Sequence, residues 1–84
     1  MTGADPAPAE RVARLLRDTL GIEPPGPDVD LFDSGLVDSL GFVTLLVELE
    51  TAFGFELPLE DVDVDEFRTL DLIVAYVERA REAA

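Results

Sequence analysis

From Ser39 to Phe53 the apolar residues Phe42, Leu45, Leu46, Leu49 and Phe53 follow one another at spacings of 3, 1, 3 and 4. That rhythm gathers them on one face of an α-helix and matches no face of a strand. Gly54 follows, a residue that ends helices by turning left-handed. Either Asp38 or Ser39 supplies the N-cap. A second stripe, Leu40, Val43 and Val47, lies on another face of the same helix. One stripe builds a core. The second is more than a small bundle needs.

The same period recurs at both ends of the chain. A helix is predicted from about Pro8 to Leu20, with Val12, Leu15, Leu16 and Thr19 as its stripe. Proline suits the first helical position, Glu10 the first turn, and Gly21 the stop. A last helix is predicted from Leu70 to about Ala83, capped by Thr69. Its apolar positions are Leu70, Ile73, Val74 and Val77, with Tyr76 at the margin and Arg79 and Arg81 near its C-terminal end. Between the first two helices Pro24, Pro25 and Pro27 forbid a helix interior. The connection Ile22 to Asp38 therefore reads as a packed loop, pinned by Val29, Leu31, Phe32 and Leu36. After Pro58, Asp63 with Glu66 three residues later predicts a capping box for a single turn ending near Phe67 or Arg68. No segment alternates over enough residues to demand a strand. The expected fold is all-α, a four-helix bundle of three long helices and one short one. Residues 1–7 read as a flexible leader and 8–84 as one domain.

Composition narrows the chemistry. The 84 residues contain no cysteine and no histidine. Thiolate metal sites, disulfides, thiol nucleophiles and imidazole bases are excluded, and with them a Ser–His–Asp triad. The net charge is −13, and all six basic residues are arginine. Such a charge repels nucleic acids and anionic membranes and favours basic protein surfaces. Hydrophobic residues make up 48% of the chain, and they recur in helical register, which argues against disorder. The first residues have neither the basic run nor the apolar stretch of a signal peptide, and no apolar run would span a bilayer. A cytoplasmic, monomeric protein is expected, binding neither nucleic acid nor membrane. It is not expected to be an enzyme.

Ser39 opens the strongest helix just after a long loop. There the free N–H groups and the positive dipole end would stabilise a phosphate ester, and the loop leaves the oxygen accessible. A serine in this position is also an ordinary helix cap. A nucleophile elbow is ruled out, because position 37 is valine where that motif needs glycine, and there is no histidine.

The segment Leu31-Phe32-Asp33-Ser34-Gly35-Leu36-Val37-Asp38-Ser39-Leu40 resembles the attachment region of the phosphopantetheine-dependent acyl and peptidyl carrier proteins, and the likeness continues through Leu45–Glu50 and Phe53-Gly54. A nearer resemblance, carried by Gly41 and by Asp63–Thr69, is to the discrete D-alanyl carrier proteins. Phe42 and the proline-rich loop depart from that pattern. The resemblance implies a carrier-type four-helix bundle with 4′-phosphopantetheine on Ser39. Asp38 would help present the serine to a phosphopantetheinyl transferase. Leu40, Val43 and Val47 would form a partner-docking surface with Glu48 on its rim. An adenylating or acyl-loading enzyme and downstream acyl- or aminoacyl-transferring enzymes would be the further partners. The implied function is to carry an acyl or aminoacyl thioester, with secondary-metabolite biosynthesis as the expected setting. An unmodified acidic helical interaction module is the alternative.

Asp61, Asp63 and Asp65 alternate like the start of a calcium loop. Glu66 and Leu72 stand where that loop needs glycine and glutamate, so calcium binding is not expected. Glu48, Glu50 and Glu56 read as solvated rather than as a carboxylate pair.

Overall fold

The computed structural model describes residues 7–83. It contains three α-helices, α1 (Pro8–Leu20), α2 (Ser39–Phe53) and α3 (Leu70–Ala83), and two 3-10 turns, Leu59–Asp61 and Val64–Phe67. No strand occurs among the described residues. All three helices begin and end where the periodicity and caps predict. The leader, apart from Ala7, lies outside the described residues, as does Ala84.

The expected fourth helix is instead the 3-10 turn Val64–Phe67. The capping box does not form. The Asp63 carboxylate accepts the N–H of Asp65 at 2.9 Å, and the Glu66 N–H donates to the Asp63 carbonyl at 3.0 Å. The Glu66 carboxylate, which a capping box would turn back, meets Arg79 at 3.3 Å. A short acidic segment with its side chains so engaged tightens into 3-10 geometry rather than extending.

Helix α1 packs against both α2 and α3, and α3 against the second 3-10 turn. The core gathers Val12, Leu15 and Leu16 of α1, Leu45, Leu46 and Leu49 of α2, and Ile73 and Val77 of α3. Phe67 and Leu57 from the last connection complete it, with Leu31 and Val37 from the first. Thr19 is exposed, so α1 contributes a narrower stripe than expected. No polar or charged residue is buried among the described residues.

At one pole the N-terminus of α1, the C-terminus of α2 and the C-terminal part of α3 converge. The guanidinium groups of Arg11 and Arg81 lie 4.2 and 5.9 Å from the Phe53 ring centre, and Arg11 also donates to the Ala52 carbonyl. This contact satisfies one of the carbonyls left open at the C-terminus of α2. Phe53 stacks on Phe55 at 6.2 Å. Helix α1 therefore runs antiparallel to α2, and the N-terminus of α2 lies at the other pole.

Candidate functional site

The long loop that leads into the tip of α2 is tied down by backbone hydrogen bonds. Leu31 is wholly buried, and its N–H donates to the Arg68 carbonyl at 2.7 Å. The N–H of Val37 returns to the Leu31 carbonyl at 3.0 Å, closing the chain into a bulge that ends just before Asp38. Farther back, the Asp71 N–H bonds the Pro27 carbonyl at 3.1 Å and ties the loop to the start of α3. Four apolar residues were expected to pin this loop. Leu31 does so fully and Phe32 partly, whereas Val29 and Leu36 are exposed and the buried Val37 takes their place.

Asp30 and Arg68 form a polar hub beside this bulge. One Asp30 oxygen accepts the N–H groups of Phe32 and Asp33 at 2.8 and 2.9 Å, and the other meets Arg68 at 3.4 Å. Chiefly because of the Asp33 N–H, with Phe32 and Arg68 adding to it against the opposing effect of burial, the Asp30 carboxyl titrates below its ordinary value. Arg68 also bonds Asp65 at 2.7 Å, the main cause of its raised pKa. Its guanidinium thus joins the loop before α2 to the second 3-10 turn. The sequence offered no signal for this hub, since Asp30 and Arg68 lie 38 positions apart.

Asp38 is the N-cap of α2. Its Oδ1 accepts the Gly41 N–H at 2.7 Å, and its own carbonyl accepts the Phe42 N–H at 2.8 Å. Gly41 fits this cap closely, because a Cβ there would stand 3.2 Å from Asp38 Oδ1. Ser39 is therefore the first helical residue and is relieved of capping. It is exposed, and its hydroxyl makes no hydrogen bond to protein among the described residues. The other serine, Ser34, donates from its hydroxyl to the Leu31 carbonyl at 3.2 Å and accepts the Leu36 N–H at 3.4 Å. One serine is built into the loop. The other is free at the positive end of a helix.

The second stripe of α2 faces solvent. Leu40 is 75% exposed, Val47 50% and Val43 39%, and Leu36, in the loop before the helix, is 40% exposed. Thr44 and Thr51, on the same side, return their hydroxyls to the carbonyls of Leu40 and Val47 at 3.1 Å. No charged residue interrupts this face, although 30% of the chain is charged. Glu48, four residues on from Thr44, stands at the edge of this face. One position on from Val47, and so roughly 100° around the helix, it is half-buried and lines a groove towards α1 with Arg11 and Arg14.

The residues present fit a phosphate-linked arm. Ser39 offers an unencumbered oxygen, the first-turn amides and dipole favour the negative charge of a phosphodiester, and the glycine at position 41 keeps the capped turn compact. The model described as the phosphopantetheine attachment site matches residues 10–77. The chain belongs to this family. It is similar to the D-alanyl carrier protein of Lacticaseibacillus casei (strain BL23), 39% identical over 80 residues that cover 93% of this chain and 99% of the relative. The D-alanyl carrier protein of Lacticaseibacillus rhamnosus gives the same figures. That of Streptococcus pyogenes serotype M5 (strain Manfredo) is 45% identical over 56 residues, covering 67% of this chain and 71% of the relative. The chain is thus a carrier protein rather than an enzyme, and its cofactor is 4′-phosphopantetheine attached covalently to a serine. No helix among the described residues is long and apolar enough to cross a membrane.

Proposed function

We propose that Ser39 bears the phosphopantetheine and that the protein carries a D-alanyl or similarly small aminoacyl group on it. The observation that carries this reading is the division of labour at the helix tip. Asp38 takes the cap, so the Ser39 oxygen is left free, while the Ser34 hydroxyl is engaged on both sides. During attachment the Ser39 Oγ replaces the adenosine-bearing phosphate of coenzyme A on the pantetheine phosphate, and adenosine 3′,5′-bisphosphate leaves. With no histidine in the chain, the hydroxyl proton goes to the phosphopantetheinyl transferase. The bound group supplies a terminal thiol on which the cargo rides as a thioester. The chain's own part is to hold that thiol at high local concentration before each partner.

The uncharged face of Leu36, Leu40, Val43 and Val47 is the docking surface, beside the modified residue where the transferase and an adenylating enzyme must approach. The surrounding negative charge steers basic partners towards it within about 8 Å at physiological salt. Dependence on coenzyme A supports a cytoplasmic setting for this work. The names of the relatives support D-alanyl cargo and give no support to a secondary-metabolite setting.

Incubation with coenzyme A and a broad-specificity transferase, followed by intact-mass measurement, tests the attachment. One phosphopantetheine is expected on the unaltered protein and on Ser34→Ala, and none on Ser39→Ala. A gain that survives Ser39→Ala would overturn the assignment.

A further inference from the structure

Residues 30–37 lead into Asp38 and Ser39 and fold back on themselves. The Ser34 and Gly35 N–H groups donate to the Asp30 and Phe32 carbonyls at 3.0 Å, and the hydrogen bond from Val37 to Leu31 closes the neck. Only Asp38 stands between that neck and Ser39. The Val37 side chain lies under the first turn of α2, 3.5 Å from where a Cβ on Gly41 would stand. How the neck sits therefore decides how the tip of α2 is presented.

Arg68 holds this bulge twice. Its carbonyl accepts the Leu31 N–H at 2.7 Å. Its guanidinium reaches three carboxylates, Asp65 at 2.7 Å, Asp30 at 3.4 Å and Asp33 at 4.0 Å, and lies 5.7 Å from the Phe32 ring centre. Asp30 passes the hold to the backbone, because its other oxygen accepts the Phe32 and Asp33 N–H groups. Part-exposed ion pairs such as these add little to global stability. A planar, forked guanidinium is suited instead to fixing several acceptors in one geometry. What it fixes here is the loop backbone.

We propose that Arg68, acting through Asp30, is a positioning residue for the modification of Ser39. The proposal rests on Ser39 as the attachment residue and names what orients it towards the transferase. Without the guanidinium the bulge samples other conformations, and the transferase binds only the competent fraction. Apparent affinity falls in proportion to that fraction. The loss therefore appears in KM, while kcat, which refers to the bound complex, changes little.

Modification by coenzyme A and the broad-specificity transferase, followed by intact mass over a range of carrier concentrations, gives both constants for each variant. The measurements are made well below the Tm of every variant. Arg68→Gln should raise KM for the carrier about tenfold and keep kcat within about twofold. Arg68→Lys keeps the charge without the fork and should fall between Arg68→Gln and the unaltered protein. Asp30→Ala should reproduce the KM defect, whereas Asp30→Asn keeps an oxygen for the two N–H groups and should show a smaller one. Ile73→Val takes stability from the core of α3 and should leave both constants unchanged. In hydrogen exchange, the Phe32, Asp33 and Val37 amides should lose protection in Arg68→Gln while those of Leu45 and Leu49 keep theirs. An unchanged KM or full loop protection in Arg68→Gln, or an equal KM defect in Ile73→Val, would overturn the inference. Should Arg68→Gln not fold, Arg68→Lys and Asp30→Ala carry the same test. A mass gain that survives Ser39→Ala would instead overturn the attachment, an outcome distinct from modification at Ser39 that is indifferent to position 68.

Discussion

The Asp38 carboxylate accepts the Gly41 amide at 2.7 Å, reaching past Ser39 and Leu40 to do so. One residue therefore caps the helix and leaves its neighbour's hydroxyl free. Replacing Asp38 with alanine should cost about 1 kcal/mol, within the 0.5–2 typical of lost caps, and lower Tm by roughly 4–8 °C. Asp38→Asn keeps an accepting oxygen and should retain nearly all the stability. Thermal denaturation of the two variants checks this. If Asp38→Asn is also modified much more slowly, its charge serves the transferase as well as the helix.

Gly41→Ala sets two effects against each other. Alanine favours a helix by about 0.8–1.0 kcal/mol over glycine, but its Cβ would crowd the Asp38 oxygen at 3.2 Å. The net gain should stay below about half of the usual figure. In an Asp38→Ala background the full gain should return. Urea denaturation of this double-mutant cycle measures the coupling.

Phe67 is the largest wholly buried side chain and the meeting point of Phe42 and Tyr76. Phe67→Ala should cost about 3–5 kcal/mol, enough to unfold a marginal small domain at moderate temperature. Phe67→Leu should remain folded with a smaller loss, seen as a lower urea midpoint.

The Asp30 carboxyl titrates below its ordinary value in the folded protein. Its contribution to stability is therefore complete above the unfolded-state pKa of about 4 and disappears as the pH falls through the lower folded-state value. Asp30→Asn should flatten this part of the acid limb of stability against pH. An unchanged slope below pH 4 in Asp30→Asn would show that other carboxylates account for it.

Val43→Asp and Leu40→Asp place a charge on an exposed, otherwise uncharged face. Stability should change by less than about 0.5 kcal/mol, while modification and aminoacyl loading should slow by tenfold or more. An unmodified interaction module would lose partner binding in Val43→Asp and keep it in Ser39→Ala. A carrier loses function in both. Binding and loading assays on the same two variants separate the readings.

The three helices were legible because each writes its own boundaries locally: a proline start and Gly21 stop for α1, Asp38 and Gly54 for α2, Thr69 for α3. The same local signals set Ser39 at the start of α2, while its reading as the attachment residue came from the resemblance of the segment around it. The sequence left the cap open between Asp38 and Ser39, since both residue types cap well, and only the hydrogen bond to Gly41 decides between them. The loop was misread in part because burial there follows long-range geometry rather than a period. Val37 turns inward under the first turn of α2, and Leu36 is left exposed. Glu48, assigned to the rim through the resemblance, stands between the face of Leu40, Val43 and Val47 and the groove towards α1. The 3-10 turn at Val64–Phe67 has its Glu66 carboxylate drawn to Arg79 of α3, which no local capping pattern reveals.

Helix α2 sets the Ser39 oxygen about 22 Å, fifteen residues at 1.5 Å each, from the pole where Arg11 and Arg81 flank Phe53. Because α1 begins and α3 finishes at that far pole, a purification handle, a surface linkage or a fused enzyme joined through either terminal helix would sit behind the molecule. The swinging arm would keep an unobstructed hemisphere in front of it.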